Sequence, residues 1–199
     1  MGRVFLLLGL ALGLLAVVFP RGSEPGVGAG TAVRLETVSD LVDEAHLVFE
    51  AHTRSTRTVI GATGRIETEY TFDVDRTFLG EETSERVVRI PGGVLPNGNG
   101  LLLPGLPQIV AGEDVLLFLS EAGSSGVRMP VGLSQGKFRV ETSLDGSRRL
   151  SRRHGALTVV DPQSGVVHDG GGEAVFDYAE VIAEIHAAVS QKQLVGEGR

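Results

Sequence analysis

Four stretches of this 199-residue sequence carry residue types that could do chemistry. "LVDEAHLVFEAHT", residues 41–53, contains Asp43-Glu44-Ala45-His46, the letters of a helicase motif. In a helicase the acidic pair follows a buried strand and holds Mg²⁺ beside a phosphate-binding loop. Here the letters end a helical pattern and precede a strand pattern. No GxxxxGK followed by Ser or Thr occurs to cradle phosphates. "GLSQG", residues 132–136, fits GxSxG. A nucleophilic Ser134, with His52 or His154 as its base, would make the chain a serine hydrolase. That chemistry needs a strand before the serine and a helix after it. The following "KFRVE" alternates like a strand, so this is the weakest functional reading and no catalytic residue is expected.

The five histidines, His46, His52, His154, His168 and His186, include no HExxH pair, and the chain has no Cys. Metal sites need three or four converging ligands, so no metal and no cofactor are expected. Glu67, Glu69, Asp73 and Asp75 alternate along one strand face and could attract Ca²⁺. Carboxylates on an exposed strand face more often keep it soluble. "SRRLSRRHG", residues 147–155, is the basic cluster. In a strand, Arg148 and Arg152 share one face and Arg149 and Arg153 the other, which precludes one compact patch. With net charge −7, a nucleic-acid surface is not expected. The cluster reads as a solvated hairpin or a contact for an acidic partner.

The N-terminus speaks to compartment. Arg3 precedes an uncharged apolar run from Val4 to Phe19, then a polar segment with small residues at Val27-Gly28-Ala29. That pattern predicts a signal peptide over 1–29, cut near Ala29, and a secreted or periplasmic protein. If the segment stays uncleaved it is a membrane anchor, and the membrane is met only there. Cleavage would leave a net charge of −8. Arg appears sixteen times and Lys only at 137 and 192, a bias typical of GC-rich bacterial coding. Without Cys the fold has no disulfide to stiffen it. With only 5% aromatics and no Trp, the core is expected to rest on Val, Leu and Ile.

The elements that must position these groups are mostly strands. "TVSDLVDEAH" (37–46) predicts a short helix capped by Thr37 or Ser39. Strands follow at 47–60, 65–78, 85–90 and 114–120, a hairpin turns at Asp145-Gly146 within 136–152, and a strand lies at 156–160. The first two strands should have one buried and one wet face. The unbroken apolar run 114–120 predicts a central strand covered on both sides. Residues 170–191 predict a C-terminal amphipathic helix striped by Val175, Tyr178, Ile182, Ile185 and Val189, with 192–199 a frayed tail. Between strands lies "PGGVLPNGNGLLLPGLPQIVAGE" (91–113), too rich in Pro and Gly for regular structure. Its leucines either fold back as a lid or present a partner-binding surface at Leu101, Leu102, Leu103 and Leu106.

"SDLVDEAHLVFEAHT", then "YTFDVDRTFLG", "RVVRIPGG" and "GEDVLLFL" occur in that order across about 38–120. The series resembles the netrin-like module and the tissue inhibitors of metalloproteinases, in a Cys-free secreted bacterial form. The resemblance implies an OB-like antiparallel barrel over 30–169, and a metalloprotease as a possible partner. Those inhibitors act through an N-terminal Cys that chelates the protease zinc. This chain has none, so no inhibitory residue carries over. The expectation is a mainly β, non-catalytic binding module that recognises a protein through the 91–113 loop. An inhibitor or companion of a secreted metalloprotease is the alternative.

Overall fold

A computed structural model describes residues 30–33, 37–153, 157–161, 163–164, 167–169 and 172–197. The predicted signal segment and His154 lie outside them. The fold is mainly β. Its strands are β1 (Gly30–Val33), β2 (Leu47–Ile60), β3 (Ile66–Leu79), β4 (Glu85–Pro91), β5 (Gly93–Val94), β6 (Gly100–Leu101) and β7 (Asp114–Leu119). β8 (Lys137–Thr142), β9 (Arg148–Arg153), β10 (Leu157–Val160), β11 (Val167–Asp169) and β12 (Glu173–Asp177) follow. Helix α1 spans Val38–Glu44 and α2 spans Tyr178–Glu197.

Helix α1 starts where Thr37 and Asp40 cap it reciprocally. The Thr37 hydroxyl accepts from the Asp40 N–H at 3.1 Å, and the Asp40 carboxylate accepts from the Thr37 N–H at 2.8 Å. Its far end has no basic residue of its own. Lys192, from α2, supplies the charge: its Nζ donates to the carbonyls of Val42, Asp43 and Ala45 at 2.7–2.8 Å. A compact ammonium with three donors suits that cluster of open carbonyls at a negative helix end.

Seven strands form one antiparallel sheet in the order β12-β9-β8-β7-β2-β3-β4. Two cores lie on its two faces. On the helix side, Val48, Leu116, Phe118, Phe138, Val140 and Leu150 pack beneath α1 and α2. On the other side, Phe49, Ala51, Tyr70, Phe72, Val88, Ile90, Val115, Leu117 and Leu119 pack together. β7 therefore buries both faces, as its unbroken apolar run predicts. β2 departs from the expected wet face, because Val48 and Glu50 are buried under the helices too. The low aromatic content also misleads. Phe49, Phe72, Phe118 and Phe138 are the largest fully buried side chains, and edge-on contacts such as Phe49–Phe72 at 5.3 Å knit them together.

The mainly antiparallel β class is as expected: pairing among the described strands gives one seven-stranded sheet with β4 and β12 at its ends, and β8, β9 and β12 extend it past β7 beneath the helices. Two expectations are corrected, both at the C-terminal end. Residues 173–177 are a strand, not the start of the helix. The edge of β9 takes them up, Arg153 pairs with Glu173 at 3.2 Å, and Phe176 meets Phe138 edge-on at 5.5 Å. Val175 is consequently exposed. The helix begins after Asp177, whose carboxylate accepts from the Glu180 N–H at 2.9 Å. Residues 192–197 are helical rather than frayed, tethered by Lys192. Among the described residues, no helix is long and apolar enough to cross a membrane.

Candidate functional site

The 91–113 segment is a strap pinned along its length. At its start the Gly92 N–H donates to the Ile66 carbonyl at 2.8 Å, and the Thr68 hydroxyl donates to the Gly92 carbonyl at 2.7 Å. Gly93 lies so close to the Thr58 and Thr68 hydroxyls that a side chain there would collide with them. In the middle, the Ser134 N–H donates to the Gly105 carbonyl at 2.9 Å. At the end, Lys137 donates to the Gln108 carbonyl at 2.9 Å and to Glu113 at 2.5 Å. The other Glu113 oxygen accepts from the Val110 N–H at 3.2 Å. Burial depresses the Lys137 pKa, while Glu113 favours its charged form. The Thr53 N–H and the Gly112 N–H then exchange bonds with Glu113 and Thr53 carbonyls at 2.8 Å.

The four leucines expected to act together do not share one environment. Leu106 packs against the core on the face away from the helices, which also contains buried Ile109, so this part of the strap is a lid. Leu101 and Leu103 are half-buried. Leu102 is 80% exposed and stands on the crest. Val94 of β5, 56% exposed, is a second open apolar side chain of the strap.

The remaining chemical candidates are built into the framework. Ser134 is buried in a 3-10 turn, Leu133–Gly136, that leads into β8 and not into a helix. His52, its supposed base, instead holds Asp114 through Nδ1 at 2.6 Å on the sheet surface. Asp43, Glu44 and His46 are exposed and Ala45 is buried, as the end of a helix requires. Two of the four β3 carboxylates, Glu69 and Asp73, are matched by arginines, whereas Glu67 is buried. Arg54 bonds Asp73 and also Glu85 at 2.6 Å; Glu69 holds Arg57 at 2.8 Å and Arg89 at 3.2 Å. These bonds keep the Glu69 and Asp73 carboxyls below their ordinary range. Among the described residues no cluster of His, Asp and Glu is arranged to hold a metal ion. The basic stretch divides as its alternation predicts: Arg148 and Arg152 lie on the face of buried Leu150, with Arg152 over the Phe138 and Phe176 rings at 5.1 Å.

One polar group escaped the sequence reading. Buried Glu50 accepts from Arg148 and, at 2.7 Å, from the Tyr178 hydroxyl, and the Arg148 guanidinium stacks 4.1 Å over the Tyr178 ring. Burial opposes the charge of Arg148, but Glu50 outweighs it and raises its pKa. Nearby, burial and then the charges of Glu50 and Asp114 raise that of Asp75. The group ties β2, β9 and the start of α2 together. Glu50 alternates like any solvent-facing residue, so only the helix lying over it reveals its burial. A shallow, open depression of about 490 Å³ is lined by Asp114, Arg139, Glu141 and Arg149 among others. Arg149 and Glu141 pair within it at 2.7 Å.

No protein-family model matches the chain, and no curated protein matches it in sequence.

Proposed function

We propose that the chain is a non-catalytic binding module, secreted or periplasmic after cleavage near Ala29. It recognises a protein partner through the crest of the 91–113 strap. The observation that carries this reading is the exposure of Leu102, with Val94 also open, on a segment otherwise anchored by hydrogen bonds and by Ile109. An apolar side chain on a pre-ordered support can enter a partner pocket with little loss of conformational freedom. Of the four leucines first considered, Leu102 is the anchor, Leu101 and Leu103 flank it, and Leu106 serves the core.

An OB-like barrel is part of this reading. Its support is the segment Val127–Pro130, which bridges Arg89 of β4 on one side and Leu119 of β7 on the other. The Arg128 N–H donates to the Arg89 carbonyl at 2.9 Å and the Ser120 N–H to the Met129 carbonyl at 2.8 Å. On this reading the path runs β7-β2-β3-β4 and returns towards β7 through that segment, around the core of Phe49 and Phe72. OB-type barrels bind through a sheet face and adjoining loops.

The test is capture from the organism's own envelope and secreted fractions with the intact protein and with Leu102→Asp. The charge sits on an exposed side chain, so both proteins should give the same folded spectrum. The reading expects a protein held by the first and lost by the second. Equal capture by both would move the surface elsewhere; capture by neither would remove the binding-module assignment.

A further inference from the structure

The tip of the strap, "LPNGNG", joins β5 to β6 through residues 95–99. The Gly98 N–H donates to the Leu95 carbonyl at 2.9 Å and the Leu95 N–H to the Asn99 carbonyl at 2.8 Å. Gly98 is left-handed, with φ +87°. This is a tight turn followed by a glycine bulge. Asn97 fills the position before that glycine, and its Oδ1 accepts from the Asn99 N–H at 3.0 Å. The bond folds the side chain back over the next peptide group, as Asx turns do. Residues 96–100 are all exposed to water.

We infer that Asn97-Gly98 is a self-modifying site, at which the asparagine converts to aspartyl and isoaspartyl forms through a cyclic imide. The Gly98 N–H first leaves the Leu95 carbonyl; its nitrogen then loses the proton to solvent base and attacks Cγ of Asn97. The N–Cγ bond forms, the Cγ–Nδ2 bond breaks, and ammonia leaves with a proton from water. Water then opens the five-membered imide. Opening at Cγ gives aspartate; opening at the main-chain carbonyl routes the chain through Cβ and Cγ. The net change is one water consumed and one ammonia released, with no oxidant or cofactor. Two features favour this position. The Asx bond holds the side chain across its own following peptide, a proximity effect. The Asn99 N–H already rests on Oδ1, where negative charge develops in the attack. Glycine adds no side chain to obstruct the ring.

Asn99-Gly100 has the same letters but another setting. Gly100 is paired with Val94 in β6, and Asn99 itself accepts the hairpin bond from Leu95. Extended, paired backbone resists closing into an imide ring. The two Asn-Gly pairs should therefore react at different rates. The isoaspartyl product has an extra backbone carbon inside the turn and breaks the Leu95–Asn99 register. Either product adds a negative charge five residues from Leu102.

The experiment is incubation of the full chain at 37 °C and mildly alkaline pH, followed by peptide mass mapping with fragmentation that separates the two acidic isomers. Expected are conversion at position 97 ahead of position 99, faster conversion at higher pH, and severalfold slowing by Gly98→Ala. Denatured protein is the control. Unfolding should erase the preference between the two sites, because the letters remain and the turn is lost. An unmodified Asn97, faster conversion at Asn99, or the same site preference after unfolding would each overturn the inference.

Discussion

Gly136 and Ser134 show how a motif can owe its spelling to packing. A Cβ at Gly136 would lie 2.5 Å from the Val131 carbonyl oxygen, 2.7 Å from its nitrogen and 2.9 Å from the Phe118 carbonyl oxygen. These are backbone atoms that cannot swing aside. Gly132 has φ +58°, which favours glycine as well. Gly136→Ala should therefore lower stability by about 3 kcal/mol, and Ser134→Ala by only about 1 kcal/mol. Urea unfolding measures both; a larger loss at Ser134 would reverse the assignment. Glu50 makes a second case. Arg148→Ala leaves its buried carboxylate with the Tyr178 hydroxyl alone, an expected loss of about 3 kcal/mol. Tyr178→Phe removes one donor to that carboxylate and should cost about 1.5 kcal/mol. Similar losses in both variants would show that Arg148 is not the main counter-charge.

At the scale of elements, the outer face of β2, β3 and β4 is a ladder of cross-strand ion pairs, and its consequence is a pH dependence. Arg57 and then Arg89 lower the Glu69 pKa, and Arg54 lowers that of Asp73. A carboxylate whose folded pKa is depressed stabilises the fold fully above its ordinary value, here 4.5 for Glu and 3.8 for Asp. That stabilisation is lost as pH falls through the lower folded values. The wild-type midpoint should thus fall below about pH 4 more steeply than that of a Glu69→Gln, Asp73→Asn variant. Added salt should narrow the difference, since these side chains are near water. Parallel melting curves for the two proteins from pH 6 to 3 would remove the ladder's role. The strands themselves were legible from alternation: β2, β3, β4, β7 and the β8–β9 hairpin lie where the pattern puts them. β12 was not, because Val175 and Tyr178 happen to fall on a helical spacing. The local signal for the true start, Asp177 followed three residues later by Glu180, was present and overlooked.

At the scale of the whole molecule, the seven-stranded sheet carries a core on each face, and the strap belongs to one of them. Ile109 is 5% exposed, whereas Leu102 is open. Ile109→Ala should lower stability by about 2–4 kcal/mol. Leu102→Ala should change it by less than about 0.5 kcal/mol. Chemical denaturation of the pair checks whether lid and crest are separate parts of one segment. Equal losses would make the crest part of the core.

The sequence by itself determined most strands, helix α1 with its Thr37 cap, the central place of β7 and the division of the arginines between two faces. Each follows from a local period or a local hydrogen bond, which a few neighbouring residues suffice to write. The tertiary structure alone decided that Glu50 is buried and that Lys192 caps a helix 150 residues away in the chain. It also decided that Glu69 and Asp73 are paired with arginines, that β12 is a strand, and which leucine of the strap faces water. Those outcomes depend on which distant surface comes to lie over a residue, and no local period encodes that.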